Sequence, residues 1–312
     1  MRRSHLILLV VFNVFWAGIL SANLELSHHL TYTSIVTLRF AISALGFLLL
    51  WPWLPGPSPR GWALLRVAIM GVVVFCLGQR LQVLGNTLGT AGNSSVLMGF
   101  EPILTSVAAA VFLRESVPLN RWVGFALCLA GLALLNRVWS PDFHWTGLGA
   151  SLIFVSSFLC ESVYSIMGKP LGSQASPYKV VAISLAAGTI LNLGIDGHRS
   201  LTEASHLPLY GWGLLLYMSV VCTMTGYVLW LLIIAETPVN LVAMTIFVQP
   251  VAGVVIARVF LNESPHWGQI WGAFAIGAGL MLGFLKGTEG SGALSSQPEP
   301  SAQISKQKHL EG

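Results

Sequence analysis

Charged residues are scarce in this 312-residue chain: Asp, Glu, Lys and Arg make up 9% of it, whereas hydrophobic residues make up 54%. Soluble domains carry roughly 25% charged residues, so too few are present here to cover a surface that faces water. The basic residues, which leave a net charge of +4, lie in short loops and tails and form no patch or stripe. The composition therefore predicts an integral membrane protein and argues against nucleic-acid binding.

Motifs for catalysis and metal binding are also missing from the sequence. It has no phosphate-binding Gly-Lys-Ser/Thr loop, no Gly-x-Ser-x-Gly elbow, and no His-Glu-x-x-His or paired-cysteine spacing for zinc. We therefore expect no enzyme, no cofactor and no metal site. The four cysteines lie inside apolar runs and are interpreted as inert core thiols: Cys76, Cys128, Cys160 and Cys222.

Ten apolar runs of about 20 residues are present, and each is long enough to cross roughly 30 Å of hydrocarbon as a helix. No alternating pattern typical of a β-barrel occurs. The sequence predicts an all-α integral membrane protein with ten transmembrane helices. The approximate limits of the runs are residues 5–24, 33–54, 62–83, 90–113, 119–138, 146–168, 177–195, 208–234, 238–261 and 266–285.

The chain is an internal duplication. Setting Glu101-Pro102 against Gln249-Pro250 also aligns Phe112-Leu113 with Phe260-Leu261 and Ala130-Gly131 with Ala278-Gly279. Each unit has five spans, and because five is odd the second unit must cross the membrane in the opposite sense, as two inverted five-helix repeats. We predict one repeat at residues 1–140, the other at 141–286, and a disordered cytoplasmic tail at 287–312, which is rich in Ser, Pro, Gln and Gly.

The loops carry an orientation signal. If the N-terminus is cytoplasmic, nine Lys and Arg residues fall on the inner side, whereas the outer loops hold only Arg137 and Arg199. Cytoplasmic loops are enriched in basic residues. The sequence therefore predicts a multi-pass protein of the cell inner membrane with both termini in the cytoplasm.

Two carboxylates lie deep inside the predicted spans, where an unpaired charge is costly and usually functional. Glu101 lies near the middle of the fourth span, directly before Pro102, and Glu161 lies on a polar stripe of the sixth span that includes Tyr164. Each is a candidate for proton coupling or substrate contact. The alternatives are a hydrogen bond from Glu101 to a carbonyl freed by Pro102, and a structural bond between helices for Glu161. Gln249, the counterpart of Glu101, cannot titrate.

Further polar and aromatic residues share these depths. The repeat offset places Asn13 opposite Glu161 and Trp16 opposite Tyr164, so the first and sixth spans present related faces. Tyr227 and Trp230 share a face of the eighth span and either pack or stack on a substrate.

Three arginines lie within the outer parts of the spans. Arg80 is a gate or a contact for a substrate carboxylate, unless it reaches to the outer headgroups. Arg39 either reaches the outer headgroups or pairs with an acid on a neighbouring span, and Arg258 is expected to reach the headgroups. Glycines and alanines of the fifth and tenth spans predict a close helix-packing face or a homodimer surface.

Several of these features together resemble the EamA-type transporters of the drug/metabolite transporter superfamily, over about residues 5–285. They are Arg39-Phe40, the run from Glu101-Pro102 to Phe112-Leu113-Arg114-Glu115, Ala130-Gly131, and Tyr227 to Trp230 before Gln249-Pro250. The chain departs from the family at Arg114 and Asn262, where glycine is common, and at Gln249, where glutamate is common.

The resemblance implies a secondary carrier, often a bacterial exporter of amino acids or related metabolites, with a central cavity lined by spans one, three, four, six, eight and nine. We therefore expect an exporter of a small polar or zwitterionic metabolite that works by alternating access, with proton antiport through Glu101 or Glu161. Its partners would be that metabolite and the lipid bilayer. Uptake or exchange of nucleotide sugars or phosphorylated compounds, a channel and a non-transporting scaffold are the alternatives. The predicted substrate-binding residues are Asn13, Trp16, Arg80, Glu101, Glu161, Tyr164, Tyr227, Trp230 and Gln249.

Overall fold

The computed structural model describes residues 2–89, 91–145, 147–172, 174–260 and 266–285. Within these ranges the chain is helical and contains no strand, and nine helices are long and apolar enough to cross a membrane, with a tenth, shorter one. This confirms the all-α fold and the ten helices. The predicted tail at 287–312 and Asn262 lie outside the described residues, as does the side chain of Arg258. The helices are α1 (Arg3–Leu26), α2 (Tyr32–Trp53), α3 (Trp62–Leu88), α4 (Asn93–Phe112), α5 (Leu119–Leu135), α6 (Leu148–Leu171), α7 (Pro177–Ala204), α8 (Leu209–Glu236), α9 (Val239–Ile256) and α10 (Trp267–Phe284).

The contacts between helices follow the repeat. When each helix is replaced by its counterpart in the other half, the resulting pair of helices is also in contact. Helix α1 packs against α9, and its counterpart α6 packs against α4. Likewise α3 contacts α6 and α7, and its counterpart α8 contacts α1 and α2. Two further pairs, α5 with α10 and α2 with α7, each consist of a helix and its own counterpart. This exchange is expected for two repeats related by a two-fold axis.

Helical irregularities recur at matching places in both halves. A π-helical turn interrupts α3 at Val73–Gly78, and another interrupts α8 at Tyr217–Thr225. Helix α4 is broken at Gly99, and α9 contains a 3₁₀ segment at Met244–Phe247. Each of these last two breaks lies a few residues before a proline. Proline lacks the N–H that would bond the carbonyl four residues earlier, and this explains why the helix is irregular there. The breaks place irregular backbone halfway along the bundle.

Small residues allow α5 and α10 to approach closely. A Cβ atom on Gly124 would lie 2.7 Å from the carbonyl oxygen of Gly279, and one on Gly131 would lie 2.8 Å from that of Gly272. The glycine face therefore packs within one chain, as the helix-packing interpretation predicted. The possible homodimer stays a prediction.

Large apolar side chains remain exposed around the outside of the bundle, on nearly every helix. An apolar surface this extensive is unstable in water and suits a surrounding bilayer. The protein is thus a multi-pass membrane protein. Below, the N-terminal end of the bundle is the end at which α1 begins, and the distal end is the end at which α1 finishes.

Candidate substrate cavity

A central cavity lies halfway along the bundle, and the empty space in it amounts to about 800 Å³ when the open solvent at its mouth is counted. The breaks in α4 and α9 border it, and α2 contributes to its wall in addition to the six helices predicted. Seven of the nine predicted residues line it. The lining is Trp16, Ile19 and Leu20 of α1, Arg39 of α2, Gln79 and Gln82 of α3, Met98, Glu101 and Thr105 of α4, Phe154, Glu161, Tyr164 and Ser165 of α6, Tyr227 and Trp230 of α8, and Ile246 and Gln249 of α9.

Glu161 is the best-connected acid of the cavity. Its carboxylate accepts a short hydrogen bond from Gln79 Nε2. Tyr227 Oη lies 3.3 Å from its other oxygen and also donates to it. Gln79 and Tyr227 occupy equivalent positions of α3 and α8 under the repeat offset, so both halves of the molecule hold the same carboxylate.

Arg39 is the one cation among the described residues that line the cavity. Its side chain is buried, with 3% of the residue exposed. Its Nε donates to Thr223 Oγ1 at 2.9 Å and its Nη1 donates to Gln79 Oε1 at 3.1 Å. The expected pairing with an acid is therefore indirect, since Gln79 stands between the guanidinium and Glu161.

An aromatic wall faces these polar groups. The ring of Trp16 lies 5.9 Å from that of Trp230 and 6.3 Å from that of Tyr227, and Tyr164 and Tyr227 are 4.9 Å apart. Each ring is also held by its polar atom: Trp230 Nε1 donates to Ser165 Oγ, for example, at 2.9 Å. Because polar groups fix the rings, the wall is preorganised to receive an apolar or cationic group.

Glu101 lies on the first turn of the helix that follows the Gly99 break, and it lines the cavity. Among the described residues no side chain donates a hydrogen bond to it. Its predicted bond to a backbone carbonyl is likewise not seen in that part of the chain. The Glu101 carboxyl is thus available to a molecule in the cavity.

Asn13 and Gln249 form the amide pair of the site. Gln249 Nε2 donates to Asn13 Oδ1 at 2.8 Å, and Asn13 Nδ2 donates to Thr245 Oγ1 at 3.0 Å and to the carbonyl oxygen of Leu9. Asn13 is fully buried behind the cavity wall, whereas Gln249 reaches the lining. This pair ties α1 to α9.

The structure does not bring Arg80 into the cavity lining. Its Nη2 forms an ion pair with Asp196 Oδ1 at 2.9 Å, and its Nε donates to Asn192 Oδ1. Thr37 Oγ1 donates to the same carboxylate oxygen at 2.7 Å. The sequence interpretation missed Asp196 because the seventh apolar run was expected to end at residue 195, whereas α7 continues through a non-helical residue at Asp196 to Ala204.

A second polar cluster, the Glu115 network, closes the N-terminal end beneath the cavity. Glu115 Oε1 accepts from Lys169 Nζ at 2.7 Å and from the backbone N–H of Val239 at 3.1 Å, and Glu115 Oε2 accepts from Asn240 Nδ2 at 3.0 Å. Lys169 also donates to the carbonyl oxygen of Thr237. The network joins the loop after α4, the end of α6 and the start of α9, and thus links the two repeats.

A bundle of apolar helices around a polar cavity, with mid-helix breaks at matching places in two repeats, defines a membrane transport protein. Comparison with known proteins agrees. The chain matches the EamA-like transporter family over residues 3–137 and 147–285, and it belongs to that family.

Two curated relatives are similar to this chain over most of their length. An uncharacterized transporter of Archaeoglobus fulgidus is 24% identical over 82% of this chain and 90% of its own. A probable terminal-alkyne amino-acid exporter of Streptantibioticus cattleyicolor is 25% identical over 72% of this chain and 74% of its own. A solved crystal structure superposes with a TM-score of 0.72 over 92% of this chain and 98% of its own, at 16% identity, which shows the same fold. The protein is therefore a membrane transporter and not an enzyme.

Proposed function

We propose that this protein exports a small zwitterionic metabolite, an amino acid or a derivative of one, across the cytoplasmic membrane in exchange for protons. The observation that carries the proposal is the mixed charge of one cavity wall, which holds the carboxyls of Glu101 and Glu161 together with the guanidinium of Arg39. A zwitterion presents both complementary charges at once. A desolvated charge is stable only when it is paired, so such a wall favours a ligand that carries both signs.

The free polar atoms suggest how the ligand is oriented. Arg39 uses Nε and Nη1 for protein partners, which leaves its other terminal nitrogen for a ligand carboxylate. Glu101 has no protein donor among the described residues, so its carboxyl is the natural partner for a ligand ammonium group. The ring wall of Trp16, Tyr227 and Trp230 then receives the side chain of the metabolite. The relative described above as a probable amino-acid exporter supports a ligand of this class.

Alternating access would use the ends of the bundle in turn. In this conformation the Glu115 network and the packing of α4 against the start of α9 close the N-terminal end. The excess of basic residues in the loops at that end supports a cytoplasmic location for it. A substrate to be exported would then enter when the network separates. Both termini then lie inside the cell.

Phosphorylated substrates and nucleotide sugars fit the cavity poorly. A phosphate group needs several cations or helix N-termini for neutralisation, and the described lining holds one guanidinium against two carboxyls. A dianion would meet net repulsion there.

The proposal is tested first by comparing metabolites in cells and medium with and without expression of the chain, and then with the identified metabolite in proteoliposomes. Glu101→Gln removes the charge that we assign to the ligand ammonium group, so it should weaken binding of the metabolite. Exchange of labelled metabolite is expected to remain measurable at raised concentration, whereas uphill transport driven by an imposed pH gradient is expected to be abolished. The matched control is Glu236→Gln, which alters an exposed acid paired with Arg2 and is expected to keep both activities. Full uphill transport by Glu101→Gln would refute the coupling role. A chain that moves no metabolite between cells and medium would refute export.

A further inference from the structure

The repeat offset makes two helix seams equivalent. It places Glu101 of α4 opposite Gln249 of α9, and Glu161 of α6 opposite Asn13 of α1. The seam between α4 and α6 is therefore the counterpart of the seam between α1 and α9, and both pairs of helices are in contact. One seam carries two amides at the positions where the other carries two carboxyls.

The two seams hold these equivalent residues in different arrangements. In the amide seam the side chains meet directly, because Gln249 Nε2 donates to Asn13 Oδ1 at 2.8 Å. In the carboxyl seam no hydrogen bond joins Glu101 to Glu161 in the described structure, and Glu161 accepts from Gln79 and Tyr227 instead. The same two positions are thus joined in one copy and separate in the other.

Repeats related by a two-fold axis exchange their arrangements when a carrier turns to face the other side, since each state is the other with the copies interchanged. When the N-terminal end opens, the carboxyl seam should adopt the joined arrangement that the amide seam has now. An amide pair can join unaided because it brings its own donor. Two carboxylates repel at such a distance, but one proton between them creates a short, charge-assisted hydrogen bond.

We propose that Glu101 and Glu161 form a single proton site, a carboxyl pair that closes around one shared proton when the bundle faces the opposite side. This rests on the proposed function in taking the proton as the coupling ion, and it names the groups that hold that proton. The ligand of the pair is one proton, bound in one conformation and released in the other.

The charges around the pair suit this role. The titratable and charged groups of the described cavity wall are Arg39 of α2, Glu101 of α4, Glu161 and Tyr164 of α6, and Tyr227 of α8. A closed pair with one proton carries one negative charge, which Arg39 balances through Gln79. With two protons the pair would be neutral and the charge of Arg39 would be uncompensated. With no proton the site would hold two adjacent anions.

The test measures the conformational equilibrium against pH without any substrate. Spin labels are attached in lipid nanodiscs to cysteines at Leu24 and Leu152, which are exposed near the distal ends of α1 and α6, after the four native cysteines are replaced by serine. Pulsed electron resonance gives the ratio of the two conformations. The expected ratio changes tenfold per pH unit, which corresponds to one proton per transition. A hundredfold change per unit, or no change, would overturn the shared site, and this wild-type slope needs no substitution in the pair.

Substitutions sharpen the result. Glu101→Gln and Glu161→Gln should each remove the pH dependence completely, because the new amide donates permanently to the remaining carboxylate. Two independent carboxyls would instead leave a tenfold slope in each single variant, which would refute the pairing. Glu236→Gln should keep the slope of the parent. If the ratio of conformations depends on pH but an imposed pH gradient drives no metabolite transport, the proposed antiport is refuted and the proton site stands. If a gradient drives transport but the ratio does not depend on pH, only the proton site is refuted.

Discussion

The Glu115 network offers the sharpest test of how the cavity is closed. Glu115→Gln keeps the shape of the side chain but removes its charge, and the new NH₂ group faces the donors of Lys169, Val239 or Asn240. A hydrogen bond to a charged group contributes about 1.5–3 kcal/mol. Losing one such bond should therefore shift the equilibrium towards the open N-terminal end by roughly 10- to 150-fold, at about 1.4 kcal/mol for each factor of ten.

The chain provides a matched control for this estimate. Glu236 also pairs with a cation, Arg2, at the same end of the bundle, but these side chains are 52% and 71% exposed, whereas those of Glu115 and Lys169 are 11% and 26% exposed. Exposed ion pairs contribute about 0–1 kcal/mol. Glu236→Gln should therefore change the opening equilibrium by less than about fivefold.

Opening is measured as the labelling rate of a cysteine at Ala109, which is fully buried on α4 above the network. The other cysteines are replaced by serine, and an impermeant thiol reagent is applied to the N-terminal face of oriented vesicles. The rate reports the open population when opening is fast compared with labelling. Equal labelling of the Glu115→Gln variant and its parent, or equal acceleration by both substitutions, would show that the network does not hold this end closed.

The remaining predictions concern stability. Arg114 has a φ of 56°, a left-handed conformation that costs a residue other than glycine about 1–2 kcal/mol, so Arg114→Gly should raise the melting temperature by a few degrees. Asp196→Asn should lower it, because breaking a largely buried ion pair costs about 3–5 kcal/mol. The double variant Asp196→Asn with Arg80→Gln should lower the melting temperature by less than the sum of the two single effects. Neither Asp196→Asn nor the double variant should change the apparent affinity for substrate. A large change would indicate that Arg80 contributes to substrate binding.

The fold followed from the sequence because the bilayer leaves few choices. Backbone groups in hydrocarbon must bond within their own segment, so ten apolar runs of sufficient length fixed ten helices. Polar residues inside those runs had to face the interior, and this rule brought Trp16, Glu101, Glu161 and Gln249 to one cavity. Whether they bind substrate stays a prediction.

The partners of the arginines could not be predicted in the same way. Gln79 and Arg80 are neighbours, yet Gln79 reaches the cavity and Arg80 reaches α7. Which of them turns inward depends on the rotation of α3 after its π-helical turn at Val73–Gly78. An extra residue in one turn changes the phase of the helix, so the apolar periodicity before the turn does not carry past it. Composition and spacing contain no signal for such a turn.

The difference between the two repeats has a thermodynamic consequence if the proposed proton site holds. Were both seams to carry carboxyls, each conformation would contain one closed, protonated pair and one separate pair, so the number of bound protons would be equal in both states. Linkage requires a difference in bound protons before pH can shift the equilibrium. The amides at Asn13 and Gln249 create that difference, since their seam closes without a proton. The amides would thus let pH shift the balance between the two conformations, which two identical carboxyl seams could not do.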